Sequence, residues 1–344
     1  MKAKTILKSI LIVSGALLIR DLAQSRREDR KVRNGADYWE RYYAPDIVQR
    51  SKELRQTKRL PSNGVDLHLD IYPHPDPQAP LLIINHGAAG YGRLFVPLAL
   101  ALHDRGYTVI VPDQQGQGFS GGRRGDYTMA ECTQNIVAAA QWAAATYEGP
   151  LFMFGGSVGG ALTYYAAAAG APIQAIACLN LFDFGDGRDG LLISRFAVLA
   201  RSALLTRLLT GLTRLSYPIE KLRVPFIWLG RFEKVMDEQD AQFQALWDED
   251  PIPARLVSLR ALASNLNTPP AIPFEQNRMP TLVINQKRDR MIDPQTTRGS
   301  YERLAGPKEY LEIPFGHWSA QSDFLQAIVT ASDRWFRQNI EQSL

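Results

Sequence analysis

Residues 150–169, PLFMFGGSVGGALTYYAAAA, crowd four glycines around one serine, between an apolar run and an alanine-rich run. Glycine weakens regular structure, because it surrenders the most backbone freedom on folding. Three local structures could require it here: a flexible linker, a phosphate-cradling loop, or a sharp turn from strand to helix. A linker fits poorly, since strand and helix signals abut the segment on both sides. A phosphate loop needs lysine and a hydroxyl after its glycines, yet Gly160 is followed by Ala161 and Leu162. What remains is Gly155-x-Ser157-x-Gly159, a serine at the tip of a strained strand-to-helix turn that aims its hydroxyl away from the sheet. Gly155 and Gly159 then remove a collision between the converging strand and helix, while Gly156 and Gly160 relax the turn. A helix opening at Val158 adds the positive end of its dipole beside the serine.

Working outward, apolar runs of strand length alternate with segments of helical length from residue 60 onward. VDLHLDIY (65–72) alternates like a half-exposed strand. LLIINHG (81–87), YTVIVPD (107–113), LFMFGGS (151–157), IQAIACLNL (173–181) and TLVINQ (281–286) are continuous runs suited to strands buried on both faces. Helices are expected at 94–105, 128–147, 158–169, 295–305 and 320–340. The alternation predicts an α/β sheet with functional groups at the carboxyl ends of its strands. It breaks between 186 and 272, where SRFAVLARSALLTRLLTGLTRLSYP reads as helix. There Leu204, Leu205, Leu208, Leu209, Leu212 and Leu215 share a face opposite Arg207 and Arg214. That face either packs over the core or forms a lid over an apolar channel. The expected division is 1–59, an N-terminal basic and apolar helical segment; 60–185 and 273–344, the two parts of the sheet domain; and 186–272, an inserted helical cap.

A serine becomes nucleophilic when a base takes its proton, an acid orients that base, and amides receive the oxyanion. Of the five histidines only His317 follows Ser157, in the turn EIPFGHWSAQ after the expected strand EYLEI. Asp289 lies just beyond the strand TLVINQ. Its competitor Asp293 precedes a proline and is expected to cap the following helix. The oxyanion donors would be the amides of Val158 and Ala88, with Ala89 behind the latter, and His86 is expected to be structural. GQGFSG (116–121) also fits a dinucleotide pattern, but no helix opens at its glycines; the next is expected near Thr128.

The chain has 344 residues, 45% hydrophobic and 22% charged, with a formal net charge of +4. Basic residues without interleaved aromatics give no nucleic-acid signature. Cys132 and Cys178 lie in apolar runs, as small core residues do, and no histidine–carboxylate spacing suggests a metal. Near the N-terminus, Lys2, Lys4 and Lys8 precede an apolar run from Ile10 to Ile19 that is followed by Arg26, Arg27, Arg30, Lys31 and Arg33. The run is short for a span of ~20 residues. The charge excess after it predicts a membrane-associated helix with the domain on the cytoplasmic face; a cleaved signal that leaves the protein secreted or periplasmic is the alternative.

From about residue 62 onward the chain resembles the α/β-hydrolases, in particular the serine-hydrolase branch with monoacylglycerol lipases and lysophospholipase-like esterases. NHGAAG, PDQQGQGFSGG, FGGSVGG, QKRDRMIDP and FGHW carry the resemblance, in the order expected for that fold. Gln115 and Gln117 stand where the lipase branch usually carries an arginine and often a histidine. The resemblance implies an α/β-hydrolase fold, a mostly parallel central sheet flanked by helices with a cap inserted after the sixth strand. It implies Ser157 as nucleophile, Asp289 as acid and His317 as base, acting without a cofactor on a hydrophobic, lipid-like carboxylic ester. An acyltransferase, thioesterase or amidase would use the same acyl-serine chemistry, and a hydrolase-like binding protein would use none.

Overall fold

The computed structural model describes residues 2–185, 187–213 and 219–341. Helices α1 (Lys2–Asn34) and α2 (Pro45–Leu54) precede β1 (Gln56–Ser62), which turns through Asn63 and Gly64 into the antiparallel β2 (Val65–Tyr72). Both turn residues have positive φ, 48° and 76°, as a two-residue hairpin turn with the right-handed twist requires. The chain then alternates through β3 (Leu81–Asn85), α3 (Val96–His103), β4 (Thr108–Pro112), α4 (Met129–Thr146), β5 (Leu151–Gly156), α5 (Val158–Ala168) and β6 (Ala175–Leu179). The insert carries α6 (Arg188–Leu192), α7 (Ala203–Thr213), β7 (Arg223–Pro225), α8 (Ala241–Glu249), β8 (Leu256–Ser258) and α9 (Leu259–Asn267). After it come β9 (Thr281–Gln286), α10 (Pro294–Arg303), β10 (Lys308–Ile313) and α11 (Ser322–Glu341).

Eight strands form one sheet in the order β1-β2-β4-β3-β5-β6-β9-β10, parallel except where β2 pairs with β1 and β4. The continuous apolar runs follow from burial on both faces. Leu81, Ile83, Met153, Ile176 and Cys178 join the core that includes α4 and α5. The alternate residues Leu82, Ile84, Phe152, Phe154 and Ala177 join the core on the other face, with α3 and α11. Cys132 and Cys178 are buried and unpaired, and burial pushes both thiols up.

Three features differ from the sequence expectations. Strand β1, QTKRLPS, escapes detection because it is a largely exposed edge strand without apolar alternation. The stretch 194–218 is not one helix: a 3-10 turn at Ala197–Arg201 is followed by extended Ser202, and α7 begins only at Ala203. The insert also holds a two-stranded ribbon, with β7 and β8 antiparallel. On α7 the leucine face is only partly covered, since Leu204, Leu205 and Leu208 are exposed and Leu209 is half-buried. Arg214, Leu212 and Leu215 lie outside the residues whose side chains are described. Helix α1 is a single run of 33 residues, and among the described residues no helix is long and apolar enough to cross a membrane. Its second half is tied to the insert, where the buried Arg223 meets Asp21 at 2.9 Å and Glu28 at 2.6 Å.

Candidate active site

The glycines of the opening stretch have steric causes. Ser157 sits between β5 and α5 with φ 58° and ψ −127°, in a region that costs a non-glycine residue ~1–3 kcal/mol. Its amide donates to the Leu179 carbonyl at 2.7 Å, and its carbonyl accepts from Gly160 at 2.8 Å, so neighbouring backbone holds the turn. A Cβ on Gly155 would lie 2.1 Å from the Gly159 carbonyl oxygen, and one on Gly159 would lie 2.2 Å from that of Asn85. Gly160 is also a close-approach position, 2.2 Å from the Asn180 oxygen, rather than a residue that merely loosens the turn. Gly156 has ordinary room.

Asp289 leaves the end of β9 and His317 follows β10, so the two adjacent parallel strands deliver them to one edge of the sheet. Imidazole Nδ1 donates to Asp289 Oδ2 at 2.7 Å, and both residues are buried. The other carboxylate oxygen accepts the amides of Met291 and Ile292, each at 2.8 Å. These bonds fix the acid, and Gln286 Nε2 fixes the histidine backbone by donating to its carbonyl at 2.9 Å. Ring tautomer follows: with Nδ1 protonated toward Asp289, Nε2 is the free base. Asp293 is elsewhere, accepting the Gln295 amide at 3.0 Å as the cap of α10.

Ser157 and His317 open on one cavity of about 570 Å³, within the range of small-molecule pockets, ~300–1,000 Å³. Among the described residues no hydrogen bond joins the Ser157 hydroxyl to the imidazole, a separation common before substrate arrives. Ala88 and Val158 line the same cavity. Val158 is the first residue of α5, where amides lack helical acceptors. Ala88 lies in a turn closed by the Gly90 amide on the Gly87 carbonyl at 3.2 Å, with Ala89 at φ 52°. A Cβ on Gly87 would stand 3.0 Å from that of Ser157, which measures how near the turn approaches the serine. His86 is fully buried; its Nδ1 donates to the Gly87 carbonyl at 2.8 Å and its Nε2 accepts from Gln114 at 2.9 Å. Burial lowers its pKa, in keeping with a neutral ring that shapes the loop.

The cavity wall also draws on residues that sequence reasoning missed. Tyr42 and Ile47 come from the segment before the sheet, and Trp247, Met236 and Phe196 come from the insert. The aromatic run YWERYY (38–43) was the available signal, since such density outside a core has to be buried somewhere. Among the described residues the lining includes no Asp, Glu, Lys or Arg, so the cavity suits uncharged, apolar matter.

Known proteins are similar to this chain in sequence or in structure. An uncharacterised 31.7 kDa protein of Escherichia coli, from the traX-finO intergenic region, is 23% identical over 296 residues, covering 83% of this chain and all of that protein. The structure is similar to a soluble variant of monoglyceride lipase from Saccharomyces cerevisiae in complex with a substrate analogue. Its TM-score is 0.65 at 15% identity, over 83% of this chain and 95% of that one. It is similar too to monoacylglycerol lipase from Paleococcus ferrophilus, with TM-score 0.61 and 18% identity over 78% of this chain and 99% of that one. The likenesses to the two solved structures establish an α/β-hydrolase fold. The model of the family described as serine aminopeptidase, S33 matches residues 76–316, and the chain belongs to that family of α/β-hydrolases.

Proposed function

We propose that the chain is a serine hydrolase that cleaves carboxylic esters of apolar acyl groups through an acyl-enzyme on Ser157. The observation that carries this reading is the buried His317–Asp289 pair, opening on the same uncharged cavity as a serine in a strained turn. His317 Nε2 takes the hydroxyl proton while Ser157 Oγ bonds to the acyl carbon, and the developing imidazolium is held by Asp289. The amides of Ala88 and Val158 receive the oxyanion, each such donor being worth ~2.7–4 kcal/mol in the transition state. His317 returns the proton to the leaving alcohol as the C–O bond breaks. Water, deprotonated by the same ring, then attacks the acyl-enzyme and releases the acid.

An uncharged wall favours an ester over a peptide with a free amino terminus, because a buried ammonium without a carboxylate partner is costly. The proposal extends to the membrane surface: exposed Leu17, Ile19 and Leu22 on α1, with Leu204, Leu205 and Leu208 on α7, offer apolar contacts at the cytoplasmic face. Vesicle flotation tests that part. The chemistry is tested by Ser157→Ala, which should abolish p-nitrophenyl ester turnover and fluorophosphonate labelling. Labelling at the wild-type rate would remove Ser157 from the reaction.

A further inference from the structure

The loop that carries His317 is bound to the insert on both sides of the histidine. Trp318 pairs with Met236 in a parallel bridge, its amide donating to the Val235 carbonyl at 2.9 Å and its carbonyl accepting from Asp237 at 2.7 Å. Asp237 Oδ2 accepts the Gly316 amide at 2.7 Å. Asp240 Oδ2 accepts the Ser319 hydroxyl at 2.7 Å and the Ala320 amide at 3.1 Å. Both carboxylates are buried. The approach is close: a Cβ on Gly316 would lie 3.1 Å from the Asp237 Cα. Asp237 also faces Arg288, 3.6 Å away and half exposed, and its Oδ1 accepts the Gln239 amide at 3.4 Å.

Two buried acids are therefore occupied in receiving hydrogen bonds from residues 316, 319 and 320, and bonds to buried charged groups are the stronger kind. The proposed chemistry has no use for these acids in proton transfer. What they do is fix the backbone from which the imidazole projects, and they do so from the insert, whose Val235 and Met236 also line the cavity. The ring itself is held at Nδ1 by Asp289, but the reach of Nε2 to Ser157 depends on where this loop stands.

We propose that Asp237 and Asp240 are positioning residues that strap the His317 loop to the insert, so that the base is aligned only when the insert is seated. This rests on the reading of Ser157 and His317 given above. Displacement of a reacting group by ~1 Å can cost ~100-fold. Asp237→Ala and Asp240→Ala should therefore each lower kcat about 10- to 100-fold, while KM moves by less than about threefold, the pattern of an interaction needed only in the transition state. Fluorophosphonate labelling of Ser157 should slow in parallel. Asp240→Asn keeps one oxygen for both the Ser319 hydroxyl and the Ala320 amide and should recover most of the rate, which mere loss of folded protein would not explain. If an alanine variant fails to fold, Asp240→Asn against Asp237→Asn supplies the comparison. Asp237 uses both oxygens, Oδ2 for the Gly316 amide and Oδ1 for the Gln239 amide at 3.4 Å, so its asparagine variant should be the slower of the two. Alanine variants within about twofold of wild-type kcat, beside an inert His317→Ala, would overturn the strap and leave the base in place. A fully active His317→Ala would overturn the base, and the strap with it.

Discussion

The Tyr42 phenol donates a 2.9 Å hydrogen bond to Oδ2 of Asp250, 208 residues later in the chain. Tyr91 donates to the same oxygen at 2.7 Å, and the Ile252 amide donates to Oδ1 at 2.8 Å. One buried carboxylate thus joins the segment before the sheet, the loop after β3 and the end of α8. Tyr42 and Trp247 are both on the cavity wall, so this junction shapes the cavity from elements outside the sheet.

Asp250→Ala leaves two buried phenols without an acceptor, at a cost of about 1–3 kcal/mol for each unsatisfied group. The melting temperature should fall. On the proposed function, KM for long-chain p-nitrophenyl esters should rise while that for the acetate is nearly unchanged. A chain-length profile of the variant checks this. An unchanged profile would place the acyl group away from Tyr42.

Asp289 uses its two oxygens differently, one for the ring and one for two backbone amides. In Asp289→Asn the amide oxygen will stay with the Met291 and Ile292 donors, because an NH2 there would face two N–H groups. Its NH2 then faces Nδ1, and the ring must protonate at Nε2 instead, which removes the free base. The expected loss is ~10⁴-fold in kcat, with folding and KM close to wild type. Steady-state kinetics with an intact melting curve check it, and activity within tenfold of wild type would show that Asp289 does not set the tautomer.

That Asp289 and His317 meet was legible because local signals fix each of them. A carboxylate follows a strand end, and a single histidine lies beyond the serine. The glycines around Ser157 were legible for a related reason, since close backbone approach leaves one residue type. The buried runs also announced their strands. Elements set by distant partners were not legible. QTKRLPS pairs as a strand because Leu60 finds Leu67 across the hairpin, not because of its own pattern. The leucine face of 194–218 begins at Leu204, and nothing in the apolar sequence before it marks the break at the extended Ser202. Asp237 and Asp240 stand in an acidic stretch indistinguishable from a solvated surface until the His317 loop folds onto it. Tyr42 acquires a role only through an aspartate two hundred residues away.

Two glycine substitutions separate close approach from ordinary helix propensity. Gly159→Ala drives a Cβ to 2.2 Å from the Asn85 oxygen and 2.7 Å from that of His86, both backbone atoms on the strand that leads to Ala88. Neither can yield cheaply, so stability should fall by ~1–3 kcal/mol or more, and Ser157 labelling should fall with it. Gly299 lies exposed in α10 with nothing within 4 Å of an added Cβ. Gly299→Ala should raise stability by up to about 1 kcal/mol through helix propensity alone. Urea denaturation of both proteins checks the opposite signs, and a stable, fully labelled Gly159→Ala would show that the turn tolerates widening.

Asp70 on β2 gives the pH dependence a definite sign. Its carboxylate is buried, with His68 Nε2 at 3.0 Å, Arg93 Nε at 2.9 Å, Arg55 Nε at 3.5 Å and the Thr57 hydroxyl at 2.9 Å. Burial acting alone would raise its pKa, but the hydrogen bond and charge of His68, with the two guanidinium groups, outweigh it and hold the carboxyl well below its ordinary value. A folded-state pKa below the unfolded value of ~3.9 means that the unfolded chain binds the extra proton as the solution turns acid. The stabilisation is therefore complete above that value and drains away as pH falls through it toward the folded pKa. Asp70→Asn should cost about 3–5 kcal/mol at pH 7, because it strands buried cations. The gap between wild type and variant should narrow steadily from about pH 5 to pH 3. Chemical denaturation of both proteins at several pH values measures that gap. A gap independent of pH would mean that the ionised carboxylate is not the species that holds Arg93.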